Sequence, residues 1–159
     1  MNLSIIMLAI SEAVTSISLP FQGKTENSQK EELQNLLKEK FKEYLCADSE
    51  IEKQIGESKD RCDVYAETSE YKIIVELDAT RADQVAKKML SRYYYANKVK
   101  TEKPTVYVCL LYPGTEKMNQ PECVKYMAMG SDVLLAMNPA NRFIGAFIER
   151  KSVIWKHIE

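Results

Sequence analysis

The stretch Arg61–Lys88, RCDVYAETSEYKIIVELDATRADQVAKK, holds two strand-like runs separated by a polar turn and followed by a helix-like run. RCDVYAE alternates with period two, TSE makes the turn, and YKIIVELDA is rich in β-branched residues, so the pair reads as adjacent strands. Three acids interrupt them: Asp63 in the first, Glu76 and Asp78 in the second. Side chains alternate across a strand, so Lys72, Ile74, Glu76 and Asp78 share one face, and Ile73, Val75 and Leu77 the other. In the preceding strand Asp63, Tyr65 and Glu67 share a face opposite Cys62, Val64 and Ala66. If the two strands are neighbours, Asp63 is expected close to Glu76 and Asp78. Carboxylates that converge on a partly buried site repel and raise one another's pKa. A divalent cation removes that penalty, and an oxygen-only donor set suits Mg2+ or Mn2+. The plain structural reading is that Glu76 and Asp78 sit at a strand end, where acids reach water at little cost.

Working outward, the segment after Thr80, RADQVAKKMLSRYYYAN, reads as a helix capped by that threonine. Gln84, Lys87, Lys88 and Ser91 fall on one side of it, and Val85, Met89 and Tyr93 are expected to face the sheet. Upstream, QKEELQNLLKEKFKEYL places Leu33, Leu36, Leu37, Phe41, Tyr44 and Leu45 at helical spacing, with Ser28 and Glu31 as an expected capping box. IEKQIGES reads as a short strand ending or bulging at Gly56. Downstream, TVYVCLLYPG is a continuous apolar run, expected as a central strand covered on both faces. NQPECVKYMAMG reads as a helix with Pro121 in its first turn, DVLLAMN as a further strand, and RFIGAFIERKSVIWKHIE as a bent strand or a hairpin turning near Arg150–Lys151.

The order is therefore helix, three strands, helix, strand, helix, strand. Three successive strands imply an antiparallel meander, and a strand–helix–strand crossover implies a parallel pair. The expected fold is α/β, a mixed central sheet with helices on both faces. No GxGxxG or GxxxxGK[ST] motif supports a nucleotide-cradling loop. Residues 1–27, an apolar segment and a polar linker from Gly23 to Ser28, are expected to precede a domain spanning 28–159. The segment MNLSIIMLAISEAVTSISLPF lacks a basic start, is broken by Glu12 and falls short of a membrane span, so it is expected as a peripheral element packed on the domain.

The 159 residues carry 22 Lys+Arg against 23 Asp+Glu, a net charge of -1 that excludes a global basic field. The distribution is uneven. Glu26 to Asp60 holds ten acids and six bases, whereas Arg81 to Lys103 holds seven bases and two acids. The second segment is expected to form a local basic surface. Cys46, Cys62, Cys109 and Cys123 form no CxxC pair, and the single histidine, His157, is remote from them, which excludes the usual zinc patterns. Reduced, mostly buried thiols fit a cytoplasmic protein.

The layout of helix, three-strand meander, helix and strand, with an acid in RCDVYAE and another in IIVELDA, resembles the restriction-endonuclease-like fold of the PD-(D/E)XK nucleases. The resemblance covers Ser28 to Gly114 and the later strands more loosely. It implies that Asp63 matches the family's first acid and Glu76 its second, and that the core follows the αβββαβ order. The family's lysine falls at Asp78, an acid. The resemblance then implies a lysine supplied from Lys72 on the same strand, or from Lys87 or Lys88 on the following helix. Gln84 resembles the helix glutamine of the exonuclease-like branches, and Glu32, Glu39 and Glu43 are the candidates for a first-helix acid.

The leading expectation is a metal-dependent nuclease. Asp63, Glu76 and Asp78 would hold Mg2+ (or Mn2+), with Lys72, Gln84 and Lys88 as the further catalytic candidates. Lys87, Lys88 and Arg92 would contact the nucleic-acid backbone, DNA in preference to RNA. Tyr93, Tyr94 and Tyr95 read as core and rim aromatics before they read as base-stacking platforms. The alternative is a catalytically inactive module of the same fold that binds nucleic acid or a protein. A third reading is an assembly protein whose apolar N-terminal segment and YMAMGSDVLLAM form a homodimer interface.

Overall fold

The computed structural model describes residues 2–55, 59–79, 81–98, 103–114 and 120–159. The elements are α1 (Leu3–Thr15), α2 (Asn27–Leu45), β1 (Asp48–Gln54), β2 (Arg61–Glu67), β3 (Lys72–Ala79), α3 (Ala82–Lys98), β4 (Thr105–Tyr112), α4 (Gln120–Met137), β5 (Arg142–Glu149) and β6 (Ser152–Ile158). The expected helix cap at Thr80 and the expected break at Gly56 lie outside the described residues.

The six strands form one sheet in the order β1-β2-β3-β4-β5-β6. β1, β2 and β3 are antiparallel neighbours, β4 runs parallel to both β3 and β5, and β6 returns antiparallel to β5. The mixed α/β sheet with helices on both faces is therefore as the residue pattern implied, and α2-β1-β2-β3-α3-β4 is the expected αβββαβ succession. Period-two alternation splits the apolar residues into two cores. Val64, Ala66, Ile73, Val75, Leu77, Val106, Val108 and Leu110 face α1 and α2. Ile74, Tyr107, Cys109, Leu111, Phe143 and Phe147 face Val85, Met89, Cys123, Met127 and Leu134 of α3 and α4. β4 is central and buried along seven of its eight residues, which is why its sequence is apolar without interruption.

Two local expectations give way to different solutions, and a third is refined. DVLLAM is not a strand: α4 continues through it to Met137, and the strand is RFIGAFIE, β5. Cys123, Met127, Gly130, Ser131 and Leu134 are the buried positions of α4, a helical repeat that the short Val-Leu-Leu run conceals. Asn141 then ties the helix end to the sheet. Its amide donates to the Leu134 carbonyl, and its carbonyl oxygen accepts from the Thr105 N–H. The Ser28–Glu31 capping box does not form, because α2 begins two residues earlier, behind Glu26, which makes no side-chain capping bond. Finally, the N-terminal segment packs on the domain as expected, as helix α1, but more deeply than a peripheral element would. Ile6, Ala9, Ile10, Ala13 and Val14 are fully buried in the same core as α2 and the sheet, and Phe21 exchanges backbone hydrogen bonds with Arg150.

Cys62, Cys109 and Cys123 are buried free thiols and Cys46 an exposed one. Among the described residues, no helix is long and apolar enough to cross a membrane.

At Gly145 the Met127 side chain of α4 packs closely on β5. A Cβ there would lie 2.5 Å from Met127 Sδ and 3.0 Å from its Cγ. Gly145→Ala is expected to destabilise the fold by roughly 1–3 kcal/mol through overpacking, read from urea unfolding. A change below about 0.5 kcal/mol, the usual effect of an uncrowded surface substitution, would mean that Met127 yields freely.

Candidate functional site

The β2–β3 ladder runs from Glu67↔Lys72 to Val64↔Val75 and stops there. The next residues in register are Asp63 and Glu76. The N–H of Leu77 donates not to β2 backbone but to Asp63 Oδ2, at 2.6 Å. On the other side of β2, the pairing with β1 passes from Ile51↔Val64 to Lys53↔Cys62, and the intervening Glu52 has φ +49°. This break turns the strand over. Cys62 packs in the α3/α4 core while Val64 and Ala66 pack in the α1/α2 core. The expectation that all three share one face fails at Asp63, because regular alternation does not survive the irregularity at Glu52. The carboxylate of Asp63 thereby occupies the gap between two strands.

Asp63 is 5% exposed and Glu76 3%. Lys30 Nζ, from the first turns of α2, is 2.6 Å from Asp63 Oδ1. One helical turn later, the Gln34 amide donates to the same oxygen at 3.2 Å and to Glu52 Oε1 at 2.6 Å. Glu76 accepts from Arg92 Nε at 2.9 Å, and Lys88 Nζ lies 3.7 Å from its other oxygen. The same ammonium is 2.7 Å from Asp78 Oδ2, in a charge contact that is not aligned as a hydrogen bond. Arg92 also reaches Asp60 at 3.0 Å, and the Ser91 hydroxyl donates to that same Asp60 oxygen. Lys88 and Arg92 are i, i+4 neighbours on α3, which puts both over Glu76.

Burial pushes Glu76 up to about 7, and the nearby Asp63 charge adds to the shift; Arg92 and Lys88 pull the other way and do not cancel it. Burial alone would lower Lys88, but the carboxylates of Asp78 and Glu76 more than offset this and leave it raised. The sign of the stability effect follows. Below the ordinary value of 4.5 Glu76 is protonated both folded and unfolded, and above about 7 it is ionised in both. Between them the folded chain holds the extra proton, so stability contributed by this group falls as pH rises through that window. A shift of this size is worth on the order of 3 kcal/mol. Urea unfolding of the native chain minus that of Glu76→Gln is expected to show this decline, and a pH-independent difference would contradict it.

The other residues singled out in the sequence are distributed as follows. Lys72 is buried at the opposite end of β3, donating to Asn97 Oδ1 at 2.8 Å and to the Ala96 carbonyl, so its position on the Glu76 face does not bring it to the acids. Burial lowers its pKa. Gln84 donates to its neighbour Asp83, and Lys87 is exposed. Glu32 accepts from the Ser18 N–H and hydroxyl, Glu43 pairs with Lys40, and Glu39 is exposed. The residues of α2 that reach the site are instead Lys30 and Gln34. Arg92, expected on a nucleic-acid backbone, is engaged with Glu76 and Asp60. Tyr93 accepts from Asn141, and Tyr94, 59% exposed, stands edge-on to Tyr95. The missed residues left one signal. Gln34 is a polar residue on the buried face of α2, between Leu33 and Leu37.

Two features of these acids bear on whether a cation could bind. The Asp63 charge acts on Glu76 just beyond the end of the ladder, and two internal cations leave Glu76 still hard to ionise. Asp78 Oδ2 is buried against the Lys88 ammonium, so a cation there would have to displace it. Among the described residues no three His, Cys, Asp or Glu side chains are grouped closely enough to hold a metal by themselves. The convergence of Asp63, Glu76 and Asp78 on one point, expected from strand alternation, is thus not found as a three-carboxylate group.

No protein-family model and no curated protein sequence matches the chain. Among solved structures, that of Pyrococcus furiosus SfsA in complex with Ca2+ is similar, at 18% identity and a TM-score of 0.37. The likeness covers 79% of this chain and 62% of that one, so this chain spans less than two thirds of its length.

Proposed function

We propose that the chain is a nuclease-type hydrolase that cleaves phosphodiester bonds of nucleic acid, DNA in preference to RNA, with Mg2+ or Mn2+ held by Asp63 and Glu76 and with Asp78 positioning water beside them. The observation that carries this reading is the placement of Lys88 Nζ, 2.7 Å from Asp78 and 3.7 Å from Glu76. An acid occupies the third position of the strand motif, and α3 delivers an ammonium beside it, restoring the charge that position lacks. When bound, the ion would lower the pKa of a coordinated water and neutralise phosphate charge. Asp63 and Glu76 would hold it. Lys88, freed from Asp78, would orient the attacking water or the scissile phosphate. Arg92 would keep the Glu76 carboxylate aimed through its Nε hydrogen bond. The test is cleavage of single- and double-stranded DNA and RNA with Mg2+ or Mn2+, beside Glu76→Gln. Divalent-dependent cleavage lost in the variant supports the reading, and no cleavage by the folded native chain opposes it.

The second reading, an inactive module of the same fold, draws on a different observation: Lys30, Lys88 and Arg92 already neutralise the acids. Such a module would bind nucleic acid or a protein equally well in EDTA, which a gel-shift titration with and without Mn2+ distinguishes.

A further inference from the structure

Lys30 makes the closest charge contact to the buried acid of β2, and its position is unusual. It lies near the start of α2, where the helix dipole disfavours a cation. Its ammonium is nevertheless drawn in to 2.6 Å from Asp63 Oδ1, with the side chain 27% exposed. Burial opposes the charge on Lys30, and the Asp63 carboxylate outweighs that cost. Gln34 closes over the same oxygen, and the Leu77 N–H takes the other. Both oxygens of Asp63 are thus engaged from within the chain. Oδ1 carries two donors and Oδ2 one, so a cation that enters from solvent onto Oδ1 must displace a donor already in place. The backbone donor is fixed in β3, and Gln34 is 3% exposed and held by Glu52. The flexible, partly exposed ammonium is the donor that can leave.

Resting on the metal-dependent reading above, we propose that Lys30 is a tethered competitor for the divalent ion: it occupies the ion's position on Asp63 and sets how tightly the metal binds. An ammonium and a divalent cation cannot share that carboxylate oxygen without strong repulsion, so occupancy by one weakens the other. Displaced, the Lys30 ammonium stays tethered to α2 within reach of the site. There it would pair with the polyanionic backbone of a nucleic acid. Metal and substrate would then bind with positive coupling, each favouring the state with Lys30 released.

The experiment is Mn2+ titration of the full chain by calorimetry, with Mn2+-dependent thermal shifts as a second readout. Lys30→Met keeps the aliphatic stem and removes the charge, Lys30→Gln does so with a polar end, and Lys30→Arg keeps the charge. Two neutral variants protect the test against one that fails to fold. Both neutral variants are expected to bind Mn2+ about tenfold more tightly than the native chain, within the range usual for coupled sites. Lys30→Arg is expected to stay close to native. Without Mn2+ the neutral variants should melt lower, and with saturating Mn2+ they should regain more than the native chain gains. Native-like affinity in both neutral variants would overturn the role of Lys30 and leave the metal site standing. Absence of Mn2+ binding in every protein would remove the metal site itself, and the competitor with it.

Discussion

Replacing Asp63 by Ala is expected to cost about 3 kcal/mol or more, the usual penalty for removing one member of a buried charge pair. The loss has three parts. Lys30 and Gln34 lose their shared acceptor, and the Leu77 N–H, at a point where no β2 carbonyl reaches it, is left unpaired in a buried environment. For a chain of this size the melting temperature should fall by roughly 10 °C. Asp63→Asn separates the contributions, because its carbonyl oxygen still accepts from Leu77 while the charge is gone. Native, Asn and Ala forms should therefore rank in that order of stability in urea. An Ala variant within about 0.5 kcal/mol of native, the range of ordinary surface substitutions, would mean that the strands close their own ladder without the carboxylate.

The largest expected effect on chemistry is at Lys88. Its ammonium serves Asp78 and Glu76 together, and no other described cation is placed against both. Lys88→Met is expected to lower the rate of phosphodiester cleavage roughly hundred- to thousandfold, the scale seen when one electrostatic donor is removed from an active site. The fold should persist, since Glu76 keeps Arg92 and the Asp78 side chain is 22% exposed and can turn to water. Nucleic-acid affinity should change far less than the rate, and Lys88→Arg should recover part of the loss. Undiminished cleavage by a folded Lys88→Met chain would assign the catalytic cation elsewhere.

How much of this was legible beforehand depends on the kind of signal each residue carries. Strand alternation in β2 and β3, the apolar run of β4 and the helical spacing in α2 and α3 are periodic, and the sheet order follows from them with the crossover rule. The end of α4 reads as a strand because VLLAM is short, apolar and compatible with either period. The acids were visible as charges where a buried strand avoids them, and Lys88 as a cation one helix later. Their arrangement was not. It depends on the turned-over strand at Glu52 and Asp63, a departure from regular pairing that no period announces. Lys72 shows the limit of face arguments. It shares a face with Glu76 but sits four residues away, roughly 13 Å along an extended strand, and finds its partners at the far end of α3. Lys30 and Gln34 are set by how α2 lies across the sheet, a tertiary fact with only the buried polarity of Gln34 as a local trace.

The measurement that bears most directly on the site is Mn2+ calorimetry on the native chain, Asp63→Asn and Glu76→Gln, with thermal unfolding of each in EDTA and in Mn2+. If the opened ladder between β2 and β3 presents a pair of carboxylates to one divalent ion, the native chain takes up about one Mn2+ and melts higher with it, as binding to the folded state alone requires. Either neutral variant should lose both responses while remaining folded. No heat and no thermal shift in the native chain, or equal responses in all three, would contradict a divalent site at Asp63 and Glu76.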